Sequence, residues 1–342
     1  MSHKSNTFEP EGSKRSNSAT VHHLAQMWAK KYVQSVNAYS DVFPLTSIGF
    51  AHEEARRTHT VKKLQQSLRT ASIKAWTQTE KLIAREIRRH QIDDQLIDPW
   101  QISEDSFRVY QKTIDIYAEQ GSPQHLARVL GSTVGRIRYK YTSQDPRVIG
   151  FVALQFHYTG QMLLKEISEW ERERVNSYLK VIDDYLYMPL QRAYEAAAEH
   201  DFDSTALLVV QQLLPLSSEI ARNVCERVIE LYPNYCTYSG SLKDSVVKIA
   251  SIRDAEMFQV YLWVCVLEQS IGAIQQELFP LCLMLYPSLR VKWELVRQMV
   301  HLLGQEIHSR LGAKQQKIFL PYCQVLWEMF SPEIFPESLD DI

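Results

Sequence analysis

The chain has 342 residues, 45 % of them apolar, enough for about two domains with real cores. A net charge of −2 excludes a global pull toward nucleic acid or anionic membranes, and only 11 glycines argue against a turn-rich β architecture. Five cysteines, an odd number with no Cys-x-x-Cys pair, point to a reducing, cytoplasmic compartment, and no apolar run approaches the roughly 18 residues that mark a membrane span.

Residues 1–20 are polar and rich in Ser, Asn and Lys, the composition of a disordered tail. A first helix is predicted over 21–36, then a turn around Phe43, Pro44 and Gly49. A long helix follows from about 53 to 89, with Val61, Leu64, Leu68, Ala71, Ala75 and Leu82 in a heptad-like stripe that Gln78 interrupts. Residues 56–89 carry ten Lys and Arg against Glu80 and Glu86. That field suits either a solvated outer face or an acidic partner surface. No nucleic-acid reader motif accompanies it.

Pro99 interrupts the pattern, and Ser103 is placed as the next N-cap, before Phe107, Tyr110, Ile114 and Tyr117. Gly121, Ser122 and Pro123 stop that helix and open another through Tyr141. Asp145-Pro146 opens a further one with Val148, Phe151, Val152 and Gln155 on one face. The next runs through Trp170, Tyr178, Ile182 and Tyr185 to a bend at Pro189. Ser204 is a predicted cap, Pro233 ends a helix, and residues 234–244 form a tyrosine-rich loop. Helical periodicity thus dominates, and the fold class is all-α.

Histidine chemistry is thin. No His-Glu-x-x-His or Glu-x-x-His spacing supports a zinc or di-metal site, and His157 reads as a half-buried, satisfied histidine. No phosphate-cradling glycine loop or Gly-x-Ser-x-Gly elbow is present. These residues point to no reaction.

The segment 217–307 reads SSEIARNVCERVIELYPNY, then SIRDAEMFQVYLWVCVLEQS, then FPLCLMLYPSLRVKWELVRQMVHLLGQEI. This order resembles the core helices of phycobilisome proteins, the globin-like light-harvesting subunits of cyanobacteria and red algae. In that family a Cys-x-Arg-Asp pattern opens one helix: the cysteine tethers a bilin, the arginine meets a propionate and the aspartate the pyrrole nitrogens. Here the matching residues are Ser251, Ile252, Arg253 and Asp254. A serine hydroxyl in the cysteine's place forms no such thioether. Met257 and Phe258 stand where the family has aromatic residues, often tyrosines, so neither supplies a hydroxyl.

Periodicity predicts a helical bundle over 21–170, which resembles no family, and composition an acidic, aromatic tail over 313–342; the resemblance implies a globin-like phycobilisome-type domain over 171–312. That tail is expected either to pair with the basic helix or to cap the core as a short helix. The resemblance further implies a non-catalytic binding, scaffold or regulatory protein, docking as a homodimer or heteromer with phycobilisome or photosystem proteins, in the cytoplasm or at the thylakoid surface. An alternative is a sensor holding a bilin or other small hydrophobic ligand without a covalent link, through Ser251, Arg253 and Asp254. A third reading of the same residues is local: Ser251-x-x-Asp254 has the spacing of a helix N-terminal capping box.

Overall fold

The computed structural model describes residues 20–32 and 47–335, with side chains from Glu53 onward in the second stretch. Of the tail predicted over 1–20, residues 1–19 lie outside them, as do the turn residues Phe43 and Pro44, while Thr20 is helical and buried. The fold is all-α. The helices are α1 (20–32), α2 (Ser47–Arg89), α3 (Pro99–Ala118), α4 (Pro123–Thr142), α5 (Ile149–Glu166), α6 (Glu169–Tyr187), α7 (Leu190–Ala198), α8 (Thr205–Leu213), α9 (Ser217–Leu231), α10 (Ser245–Glu268), α11 (Phe279–Ser288), α12 (Trp293–His308) and α13 (Ala313–Met329). A two-residue antiparallel hairpin, Cys236–Thr237 with Gly240–Ser241, sits in the loop before α10. None of the described helices is long and apolar enough to cross a membrane.

Side-chain caps set several boundaries. Ser122 accepts from the His125 amide at 3.1 Å ahead of Pro123, and Ser204 from the Leu207 amide at 3.2 Å. The Asp145 carboxylate takes the Arg147 amide at 3.0 Å and opens a short 3-10 turn before α5. Pro189 separates α6 from α7, as its ring requires.

Two boundaries in the N-terminal half differ from the sequence reading. Pro99 does not interrupt a helix but starts one: Asp98 caps it, accepting from Trp100 and Gln101 amides at 2.9 and 3.2 Å, while Ser103 lies inside. Proline at the first helical position loses no hydrogen bond and brings the required φ. Likewise α2 begins at Ser47, so Gly49 is helical backbone rather than a turn.

α2 lies along α5 and α3. Its buried positions are Thr60, Leu64, Leu68, Ala71, Ser72, Ala75, Thr79, Ile83 and Glu86 among the described side chains. The spacing drifts from heptads to the 3.6-residue period of a straight helix, which is why Thr79 and Ile83 are fully buried, Leu82 packs half-buried against the core and Gln78 is exposed. Close crossings are made by glycine. A Cβ on Gly131 of α4 would meet the Tyr185 ring of α6 at 2.7 Å, and one on Gly150 of α5 would meet Met284 of α11 at 2.4 Å.

At the centre, α10 is buried on every side from Ala255 to Leu267, the pattern of a helix enclosed by others. α13 closes over it, burying Phe319, Cys323 and Leu326, with Phe330 beside Phe258 and Phe279. Residues 313–335 thus form a core-capping helix and turn, and Glu328 and Glu333 make no ion pair with α2 among the described residues. The expected boundary at 170/171 falls in the first turn of α6, and buried side chains from Leu24 to Phe335 form one continuous cluster.

Candidate functional site

The helix expected to open at Ser251 opens six residues earlier, behind Asp244, whose carboxylate folds back to accept the Ser241 amide at 2.8 Å. Ser251 and Asp254 are therefore interior helical residues, and the capping-box reading fails. Burial of Val247 against the body anchors the extra turns. Ser251, Arg253 and Asp254 are each half-buried.

The structure brings Arg253 and Asp254 together with the end of α6 and with α11. The Arg253 guanidinium lies over the Tyr187 ring, 4.2 Å from its centroid, and 3.9 Å from Asp254. Tyr286 donates to Asp254 Oδ2 at 3.4 Å, a long bond. Arg253 Nε and Asp254 Oδ1 are buried without a hydrogen-bond partner. Burial pushes the Asp254 carboxyl up to about 6, against the opposing charge of Arg253 and the bonds from Tyr286 and Tyr187. Ser251 makes no hydrogen bond through its side chain among the described residues. Met257, Phe258 and Trp263, further along the helix, are core residues; Trp263 meets the Trp28 ring edge-on at 6.0 Å.

Sequence reading missed a second polar centre, because its members come from four helices and share no motif. Glu256 on α10 accepts from Lys31 of α1 at 2.8 Å, from Lys180 of α6 at 3.3 Å and from Ser218 of α9. Lys180 also bonds Asp184 at 3.0 Å, and Tyr32 donates to Asp184 at 2.8 Å. Lys31 stands 3.5 Å from the centroid of the Trp28 ring. Two cations thus balance two enclosed carboxylates. Burial works against the charge on Glu256, but Lys180 and Lys31 hold it well below the usual carboxylate range. Burial raises Asp184 and lowers Lys31, while Asp184 and Glu256 hold Lys180 above its ordinary value despite burial. The one signal available beforehand was Glu256 itself, an acid amid the apolar run of α10.

A third network locks α4 and α7 to α10. Arg138, 5 % exposed, donates to the Leu186 carbonyl at 2.8 Å, to Tyr261 at 2.6 Å and to Glu277 at 3.2 Å. Arg192 grips Glu268 with two bonds, at 2.6 and 2.7 Å, and also pairs with Glu277. Glu277 projects from a π-helical turn, Ile274–Leu278, whose wider winding departs from the α-helical register.

The basic helix has an ordered geometry. At 3.6 residues per turn, Arg56, Lys63, Lys74, Lys81, Arg85 and Arg88 fall within a sector of about 60°, spread over about 48 Å of helix. All six are exposed, and none is ion-paired within the described residues. Glu86 is turned inward to accept from Ser288 at 3.1 Å, and Glu80 lies off the line. The result is a straight ladder of positive charge on one flank of the molecule.

No group of His, Cys, Asp and Glu that would hold a metal ion occurs among the described residues. No protein-family model, curated protein or solved structure matches the chain.

Proposed function

We propose that this protein is a non-catalytic docking protein, scaffold or regulator, that meets an acidic partner surface with the charged flank of α2. The observation that carries this is the ladder from Arg56 to Arg88, exposed and free of internal carboxylates. Six aligned cations without counter-charges raise the local potential and steer an acidic surface into register. The cellular setting, beside the phycobilisome or photosynthetic apparatus, and the globin-like character of the C-terminal helices rest on the sequence resemblance around Arg253 and Asp254.

The test is co-sedimentation with purified phycobilisomes across a salt series. The expected result is binding at low salt that falls as ionic strength rises. The combined variant Lys74→Glu, Lys81→Glu and Arg85→Glu should weaken it at least about threefold, since each exposed pair contributes ~0.2–1 kcal/mol. Binding that ignores both salt and the charge reversals sinks the reading, as does no binding at all.

One observation favours the sensor as a second reading: Arg253 Nε and Asp254 Oδ1 are buried without a hydrogen bond. Buried polar atoms of this kind ordinarily have a partner. A tetrapyrrole band in the absorption spectrum of protein from its native host, lost in Asp254→Ala, would establish it. A colourless protein whose Asp254→Ala variant changes stability alone would remove it.

A further inference from the structure

Helix α6 starts with the sequence Ser168-Glu169-Trp170-Glu171, the spacing of a reciprocal capping box. Neither bond of the box is made. Ser168 has the extended backbone of an N-cap, and its carbonyl accepts from Glu171 and Arg172 amides at 3.0 and 3.1 Å, but its hydroxyl bonds nothing in the helix. Glu171 turns away from the helix end and accepts from the Tyr117 hydroxyl at 2.7 Å. The Glu169 and Trp170 amides therefore keep free N–H groups at the positive end of the helix dipole.

A groove of about 570 Å³ opens at this point between α6 and α2. Arg56, His59 and Thr60 line it from α2; Ser168, Trp170 and Glu171 line it from α6. Trp170 is 49 % exposed and carries two guanidinium groups near its ring, Arg56 at 5.1 Å and Arg174 at 5.2 Å from the centroid. Arg174 is paired with Glu53, whereas Arg56 has no carboxylate among the described residues and keeps its donors free. Thr60 is 4 % exposed, yet its hydroxyl makes no hydrogen bond among them. The Arg57 Nε beneath is buried and also without a partner.

Donors thus converge on one groove from two helices, and of the two first-turn acids Glu171 is held by Tyr117 instead of capping the helix end, while Glu169 is exposed. We propose that this groove binds a phosphate group, held by the forked guanidinium of Arg56, the hydroxyls of Ser168 and Thr60, and the open amides at the start of α6. Helix N-termini and arginine forks both match the geometry of phosphate oxygens. The groove is large enough for more than the bare anion, so the phosphate is either free or the end of a small organic molecule. The proposal is independent of the docking reading.

Amide chemical shifts of the full chain, followed during titration with inorganic phosphate and separately with AMP at constant ionic strength, provide the test. The expected result is saturable movement of the Glu169 and Trp170 amides and the Trp170 indole. Arg56→Gln should weaken affinity about tenfold or more, with Arg56→Lys intermediate and Ser168→Ala also weakened. Arg56 and Ser168 are exposed, so each variant should keep the wild-type melting curve. AMP binding more tightly than phosphate assigns the rest of the groove to the organic part, and equal affinity assigns free phosphate. Amides that do not move, or that move equally in Arg56→Gln, overturn the proposal.

Discussion

Glu256 is the residue on which local chemistry depends most. Its side chain is 1 % exposed and keeps its charge because Lys31 and Lys180 reach it from two other helices. Glu256→Gln would leave the Lys31 ammonium without its carboxylate and Lys180 with Asp184 alone, and a loss of about 3–5 kcal/mol in urea unfolding is expected. Adding Lys31→Met should recover part of that loss, because the strand of charge then returns toward balance. Since the folded carboxyl lies below its usual 4.5, its contribution is present above that pH and is lost progressively as pH falls below it. Asp254 works in the opposite sense. Its folded value is raised from 3.8 to about 6, so the fold binds an extra proton across that window. Its contribution is present below 3.8 and is lost as pH rises through about 6. Unfolding free energies at pH 4.5 and 7 should therefore show wild type losing stability relative to Asp254→Asn as pH rises, and parallel curves would refute the raised carboxyl.

The elements owe their ends to short-range chemistry and their faces to packing. Ser204→Ala should cost about 1 kcal/mol in thermal unfolding, because the Leu207 amide loses its acceptor. Gly131→Ala acts through packing instead: the new methyl meets the Tyr185 ring, and a loss of about 1–3 kcal/mol is expected unless that ring moves. The caps at Ser122, Asp145 and Ser204 and the break at Pro189 were legible in the sequence, since each acts over a few residues. The start of α10 was not. Ser251-x-x-Asp254 carries a valid cap pattern, but Val247, buried at 4 %, rewards a helix that starts before it. The same competition set the inner face of α2, where a heptad count works as far as Ala75 and the straight-helix period takes over beyond it.

On the scale of the whole molecule, α1 is the piece whose placement is least local. It docks across the C-terminal half through Trp28, which is 0 % exposed and meets Trp263, and through Tyr32 and Lys31, which meet Asp184 and Glu256. Trp28→Ala should lower stability by about 3–5 kcal/mol, as large aromatic truncations in cores do. If α1 were a loosely attached arm, chemical denaturation of that variant would match wild type. The charged flank of α2 and the phosphate groove meet at Arg56, so one face of the molecule carries both proposed contacts.

The sequence alone determined that the chain is helical, where most helices break, and that one helix is strongly basic. Those properties follow from composition, period and capping, which act within a few residues of chain. It also paired Arg253 with Asp254, because they are neighbours. Only the tertiary structure decided that Tyr187 and Tyr286 join that pair, and that Lys31, Lys180, Asp184 and Glu256 form one buried network. It likewise decided that the capping box at Ser168 stands open toward Arg56. Each of these joins residues tens or hundreds of positions apart, and only the packing of helices against one another sets such distances.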